Sequence, residues 1–213
     1  MDANRDQSTE NYREKYGLGV IDRDNSLAKY DAFLANMGER ITLAQIVEQH
    51  IKQQKTDKKI VRILDIGCGT GGALREIKEK FSDRIETIGI DLLPCQASGI
   101  DRCIAGDAWT VDFPADCDVV FSFRALHEIG HCPDLLEKIC ASLAAGGTAL
   151  LSFRLATLEN GTRVRLGEMT EQDESFLVNL PFAIRDCRLA KTVFFDSSAQ
   201  KVVTGVFVKI EKN

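Results

Sequence analysis

Asp65 and Ile66 are followed by Gly67, Gly69, Gly71 and Gly72, and two more acids, Asp91 and Asp107, each close a later apolar run. Glycines let a backbone adopt left-handed angles and let a ligand approach without meeting a Cβ. A helical pattern begins directly after them, so the N–H groups of a helix N-terminus face whatever lies over the turn. This is the chemistry of a nucleotide-type cofactor site. A second group, Ser122, Arg124, His127 and Glu128, follows a fourth apolar run. A histidine there could take a proton from an oxygen or nitrogen nucleophile, a glutamate could orient or replace it, and an arginine could clamp a carboxylate. The same residues could equally do no more than structure a loop.

These groups need elements to position them. Val61, Ile63, Leu64 and Ile66 are too continuously apolar for a half-exposed strand and predict one buried on both faces. Ala73, Leu74, Ile77 and Phe81 fall at helical spacing. Upstream, helices are expected over 26–37 and 40–54, the second with an apolar stripe of Ile41, Leu43, Ala44, Ile46, Val47 and Ile51. Short apolar runs ending at Asp91, Asp107 and Phe123 predict the second to fourth strands. Pro133 opens a helix through Leu135, Leu136, Ile139 and Leu143 that Gly146 and Gly147 stop, before a fifth strand over 148–153. Strands alternating with helices imply a doubly wound parallel sheet. Two β-rich runs, 190–195 and 201–210, break the alternation, and the five residues between them are a hairpin-length turn.

At 213 residues the chain has room for one α/β domain: a frayed tail over 1–10, a helical cap over 11–55 and a Rossmann-like core over 60–213. A net charge of −5 disfavours a nucleic-acid partner. No stretch is apolar enough for a membrane span, and residues 1–6 lack the core of a signal peptide, so a cytoplasmic location is expected. The seven cysteines are odd in number and contain no Cys-x-x-Cys pair, which predicts reduced thiols, several of them buried. His127, His131 and Cys132 lie close in sequence, but no second cluster with ligand spacing accompanies them, and no metal is expected.

The segment from Leu64 to Gly71, with Asp91, the Gly106, Asp107, Ala108 run and the stretch from Gly146 to Leu151, resembles the class I S-adenosylmethionine-dependent methyltransferase family. The resemblance covers 61–153 by motif and extends to 210 by strand order. It implies a Rossmann-like, mostly parallel seven-stranded sheet of order 3-2-1-4-5-7-6 with an antiparallel C-terminal hairpin. It also implies S-adenosylmethionine as the cofactor. Asp65 would bind the amino-acid portion, and Gly67, Cys68, Gly69 and Gly71 would form the turn. Asp91 would take the ribose hydroxyls, Asp107 and the Ala108 N–H the adenine, and Leu92 and Trp109 would sandwich the base. Ser122 closes the fourth strand beside the cofactor, and His127, Glu128 and Arg124 are the catalytic candidates. Bland readings remain for several: Asp107 as a helix cap, Trp109 as core, and Gly67, Gly69 and Gly72 as the Gly-x-Gly-x-x-Gly of a nicotinamide enzyme, against which Asp65 and the end hairpin argue. The Asn/Asp-Pro-Pro-Tyr motif of amide and exocyclic-amine methyltransferases is missing after the fourth strand. A small-molecule acceptor leads; a protein acceptor and a non-catalytic cofactor-binding protein are the alternatives. Residues 12–17 are a candidate lid, and 154–189 a helix plus loop near the acceptor.

Overall fold

Nine strands, five α-helices and a short 3₁₀ helix (Ser82–Arg84) carry the described chain, a computed structural model covering residues 25–36, 38–54, 60–129, 132–154, 158–159, 162–163, 169, 184–196 and 201–213. The strands are β1 (Val61–Ile66), β2 (Ile85–Asp91), β3 (Arg102–Ala105), β4 (Cys117–Ser122), β5 (Leu143–Arg154), β6 (Leu158–Glu159), β7 (Thr162–Arg163), β8 (Ile184–Asp196) and β9 (Lys201–Lys212). The helices are α1 (Leu27–Asn36), α2 (Leu43–Gln53), α3 (Gly72–Phe81), α4 (Leu126–Ile129) and α5 (Cys132–Ser142). Seven strands form one sheet in the order β3-β2-β1-β4-β5-β9-β8, and β6 and β7 form a separate ladder. The five strands β1 to β5 run parallel; β9 is antiparallel to β5 and to β8. The expected strand order is therefore present, with the last strand in sequence lying inside the last but one.

The apolar runs explain the layers. In β1, Val61 and Ile63 join Leu34, Val47, Leu74 and Ile77 on the face covered by α1, α2 and α3. Leu64 and Ile66 join Leu135, Leu136 and Ile139 of α5 on the other face. Alternation with a period of two puts Asp65 on the side of Val61 and Ile63, toward α1. Asp91 follows Ile85, Thr87 and Gly89 onto that same side of β2.

The helix bounds follow from their caps. α2 starts at Leu43 because Thr42 accepts from the Gln45 N–H at 3.1 Å while Gln45 Oε1 accepts from the Thr42 N–H at 2.8 Å. This reciprocal cap, worth about 1 kcal/mol, leaves Ile41, expected in the helix, outside it. Leu43, Ile46, Val47 and Ile51 are buried, each contributing about 1.5–3 kcal/mol. An acid at Ile46 would bury an unpaired charge against the sheet and detach the helix.

Three expectations need correction. The helix α5 ends at Ser142 and β5 takes up Gly146 and Gly147, where the ladder with β4 shifts register between Cys117 and Val119. The C-terminal strands run longer than the β-rich runs, because pairing continues from Asp196 with Lys201 to Ile184 with Lys212. Finally, not every thiol is reduced: Cys95 and Cys103 are joined, with their Cα atoms 6.1 Å apart. The return from β2 to β3 brings them together, at a spacing that no local motif announces. Cys68, Cys117 and Cys140 are reduced and buried as expected, and burial pushes the Cys117 and Cys140 thiols up to about 12. The candidate lid over 12–17, the turn over 197–200, His131 and most of 155–183 lie outside the described residues. No described helix is long and apolar enough to cross a membrane.

Candidate functional site

The chain reverses strand order between β1 and β4, and ligands of open α/β sheets bind at the carboxyl ends of strands flanking such a point. β1 ends there in the glycine turn. Gly67 has φ of 77°, and a Cβ on it would stand 2.2 Å from the Cβ of Ala125, in the segment after β4. Its N–H and that of Cys68 both donate to the Ile90 carbonyl, at 2.7 and 3.1 Å, which ties the turn to the end of β2. Gly71, with φ of 88°, is the N-cap of α3 and supplies no side-chain cap. Gly71 therefore caps none of the first-turn N–H groups of α3.

Asp65 is only 1% exposed. Its Oδ2 accepts a hydrogen bond from the Tyr30 hydroxyl at 3.2 Å, while Oδ1 is buried with no partner among the described residues. Leaving a buried acceptor unsatisfied costs about 1–3 kcal/mol, so this oxygen calls for a donor beyond the described residues. Burial pushes the Asp65 carboxyl well above its usual range; the Tyr30 hydrogen bond opposes the rise and the Asp91 carboxylate adds to it. Burial, followed by the Asp65 charge, also raises the Tyr30 hydroxyl, which keeps it a donor. Tyr30 is wedged edge-on between Phe121 and Phe123, with ring centroids 5.6 and 5.0 Å away.

Asp91 is held on both oxygens: Oδ2 accepts from the Gly69 N–H at 2.8 Å and Oδ1 from the Leu93 N–H at 3.1 Å. A carboxylate has about four acceptor positions, so a fixed Asp91 can also serve a vicinal diol. The Asp91 carbonyl accepts from the Gly106 N–H at 2.8 Å, which brings the turn after β3 alongside. There Asp107 Oδ1 accepts from the Trp109 N–H at 2.9 Å within a turn, and no helix follows for this acid to cap. Ala108 is buried, Leu92 is half-buried, and Trp109 is half-buried against the core beneath.

Two candidates from the sequence are turned inward. Ser122 is fully buried, and its hydroxyl donates to the Ile66 carbonyl at 2.6 Å, fastening β4 to β1. Cys68 packs its sulfur over Gly89, where a Cβ would sit 2.7 Å from Sγ, so its backbone forms the turn while its side chain enters the core. Beyond β4, Arg124 has φ of 63°, its N–H donates to Ser152 Oγ at 2.8 Å, and its side chain is exposed. His127 is buried in the single turn of α4, with Nε2 3.5 Å from Glu128 Oε1. The structure therefore ties Gly67, Cys68, Gly69 and Asp91 together by hydrogen bonds at the ends of β1 and β2, with Asp65 held beside them by Tyr30. The catalytic candidates occupy a separate segment that touches the glycine turn through Ala125.

A methyltransferase-domain family model matches residues 29–190, most of the chain. The chain belongs to the class I S-adenosylmethionine-dependent methyltransferase family. This methyltransferase domain is 29% identical over 151 residues to an uncharacterised Haemophilus influenzae protein, covering 63% of the chain and 58% of the relative. It is 32% identical over 84 residues to the chloroplastic tocopherol O-methyltransferase of Arabidopsis thaliana, covering 37% of the chain and 22% of the relative. The chain thus spans less than two thirds of either relative. Among solved structures, the Burkholderia thailandensis 1,6-didemethyltoxoflavin-N1-methyltransferase, bound to 1,6-didemethyltoxoflavin and S-adenosylhomocysteine, superposes with a TM-score of 0.56 at 16% identity over 96% of this chain and 87% of that one. Haemonchus contortus phosphoethanolamine N-methyltransferase 2, in complex with S-adenosyl-L-methionine, gives 0.55 at 16% identity over 88% and 57%. At these identities the likeness establishes the fold.

Two residues of the methyltransferase domain that sequence reasoning passed over sit against the candidate cofactor positions. Tyr30 reaches Asp65 across 35 residues of chain, and no local pattern marks it as more than a helix residue. Lys138, on the buried side of α5, places its ammonium on the carbonyls of Ala108, Trp109 and Val111 and 4.5 Å over the Phe113 ring. It pins the turn after β3 from below.

Proposed function

We propose that this chain is a methyltransferase that binds S-adenosylmethionine at the ends of β1 and β2 and delivers its methyl group to a small-molecule acceptor beside α4. One observation carries the reading: Asp65 Oδ1, a buried carboxylate oxygen without a partner among the described residues, at the mouth of a glycine turn. A cationic ligand satisfies it, because an ammonium both supplies the donor and offsets the buried charge. A pyrophosphate cofactor would meet a buried acid there and be repelled. The cofactor's sulfonium supplies an electrophilic methyl when bound.

The chain's own residues do the rest. Tyr30 orients Asp65, and Asp65 holds the amino-acid end. Asp91, fixed by two backbone N–H groups, accepts from the ribose hydroxyls. Asp107 and the Ala108 N–H meet the adenine edge, on a turn that Lys138 anchors, with Leu92 and Trp109 against the base. Alignment and exclusion of water carry most of the rate acceleration. His127, steadied by Glu128, takes the proton from an oxygen or nitrogen acceptor, and the exposed Arg124 meets an acceptor carboxylate. A small-molecule acceptor is supported by what the relatives' names state: a tocopherol, a toxoflavin precursor and phosphoethanolamine.

Calorimetry with S-adenosylmethionine, S-adenosylhomocysteine and nicotinamide dinucleotides tests the cofactor. Binding of the first two alone is expected, and the reverse preference overturns the reading. A radiolabelled methyl-transfer screen against metabolite and peptide pools then tests the acceptor class. Label entering only the peptides would make the acceptor a protein.

A further inference from the structure

Three cysteines from different elements meet at the back of the glycine turn. Cys95, after β2, is bonded to Cys103 on β3, and the reduced Cys68 places its Sγ 3.4 Å from the Sγ of Cys95. Cys68 is fully buried, Cys95 half-buried and Cys103 exposed, so the sulfurs step from the core to the surface. The segment carrying Cys95 also lies on the turn itself: the N–H groups of Gln96 and Ala97 donate to the Thr70 carbonyl at 3.1 and 2.8 Å.

We propose that Cys68, Cys95 and Cys103 form a thiol–disulfide exchange site that takes a low-molecular-weight disulfide as its co-reactant. When Cys95 and Cys103 are both thiols, the exposed Cys103 thiolate attacks the small disulfide, forming a mixed disulfide and expelling one small thiolate. The Cys95 thiolate then attacks the Cys103 sulfur and expels the second. The protein dithiol is oxidised by two electrons, and the small disulfide is reduced to two thiols that carry off the two protons. From the resulting Cys95–Cys103 bond, the Cys68 thiolate can attack the Cys95 sulfur. A Cys68–Cys95 bond forms, the Cys95–Cys103 bond breaks, and Cys103 leaves as a thiolate that takes up the proton Cys68 gave up. This second step has no net oxidation.

The location gives the exchange a consequence. Forming the Cys68–Cys95 bond closes 3.4 Å to about 2.05 Å. That pulls on Cys68, next to Gly69, the residue whose N–H donates to Asp91 Oδ2. The Cys95–Cys103 bond leaves the turn in place; the Cys68–Cys95 bond disturbs it. This consequence rests on the cofactor reading above, whereas the exchange itself does not.

The test uses the full chain equilibrated with reduced or oxidised glutathione, alkylated, digested and mapped by mass spectrometry. Oxidised wild type is expected to show the Cys95–Cys103 linkage. Oxidised Cys103→Ser is expected to show Cys68 linked to Cys95, while the Cys68→Ser/Cys103→Ser double variant retains glutathione on Cys95. Glutathione on Cys95 together with a thiol at Cys68 in oxidised Cys103→Ser would overturn the proposal. Oxidised Cys103→Ser should also bind S-adenosylhomocysteine at least about tenfold more weakly than the same variant reduced, about 1.4 kcal/mol. A Cys68–Cys95 linkage with unchanged affinity would overturn the coupling to the turn. Failure of reduced Cys103→Ser and reduced wild type alike to bind would count against the cofactor reading, and the linkage map would still decide the exchange.

Discussion

The two halves of the site are built differently. Around β1 and β2, Asp65 and Asp91 are both buried, and hydrogen bonds from Tyr30, Gly69 and Leu93 hold them in place. Beyond β4, Arg124 is exposed and His127 sits in one helical turn beside Glu128. The sheet holds the first half in place, as the proposed cofactor site would require. The second presents a few reactive side chains on a short segment, where, on the proposed function, substitution would change the acceptor without disturbing the cofactor. Substitutions should therefore separate the halves, affinity falling for one and turnover for the other.

The point where the halves touch should give the largest effect. Gly67→Ala puts a methyl 2.2 Å from the Ala125 Cβ at a φ of 77°. Overpacking and left-handed strain together should cost about 3 kcal/mol in thermal unfolding and lower cofactor affinity and turnover at once. A folded variant with normal stability would show that the turn and the β4 segment are not coupled.

Next comes the acceptor half alone. His127→Ala should lower turnover by about 100-fold while leaving the S-adenosylhomocysteine dissociation constant unchanged. Near-normal turnover would leave His127 as packing, and a large loss of affinity would erase the distinction between the halves.

Within the cofactor half, Asp91→Ala should weaken S-adenosylmethionine binding by at least about tenfold with the fold intact, through loss of charge-assisted hydrogen bonds. Asp65 adds a pH signature. Its folded pKa is raised, so the native state binds the proton more tightly than the unfolded chain. That stability is fully present below the ordinary carboxylate pKa of about 3.9 and is lost as pH rises through the folded value. A cationic ligand prefers the ionised form, so cofactor affinity should rise with pH through the same window and binding should release a proton. Asp65→Asn should raise the Tm of the ligand-free protein, abolish that proton release and weaken binding. Calorimetry in buffers of different ionisation enthalpy measures all but the Tm.

Tyr30→Phe should have the smallest effect. The ring keeps its place between Phe121 and Phe123, but Asp65 Oδ2 loses its donor, so affinity should fall by about threefold to tenfold, in line with one hydrogen bond of about 1 kcal/mol. No change in affinity would mean that packing alone orients Asp65.

The sequence by itself determined the glycine turn, the acids at the ends of β1 and β2 and the parallel core. A strand buried on both faces and a left-handed turn leave local signatures: the apolar run from Val61 to Ile66 and glycines at fixed spacing. The terminal hairpin was legible for the same reason, although its length was not, because ladder pairs continue past the apolar residues. Only the tertiary structure decided which atoms are satisfied. That Tyr30 meets Asp65, that Lys138 grips the turn after β3, that Ser122 and the Cys68 side chain point into the core, and that Cys95 pairs with Cys103 all depend on contacts between distant or non-periodic positions. Such contacts are set by how the layers pack. A side chain's immediate neighbours in sequence carry no trace of the partner it will find across the fold.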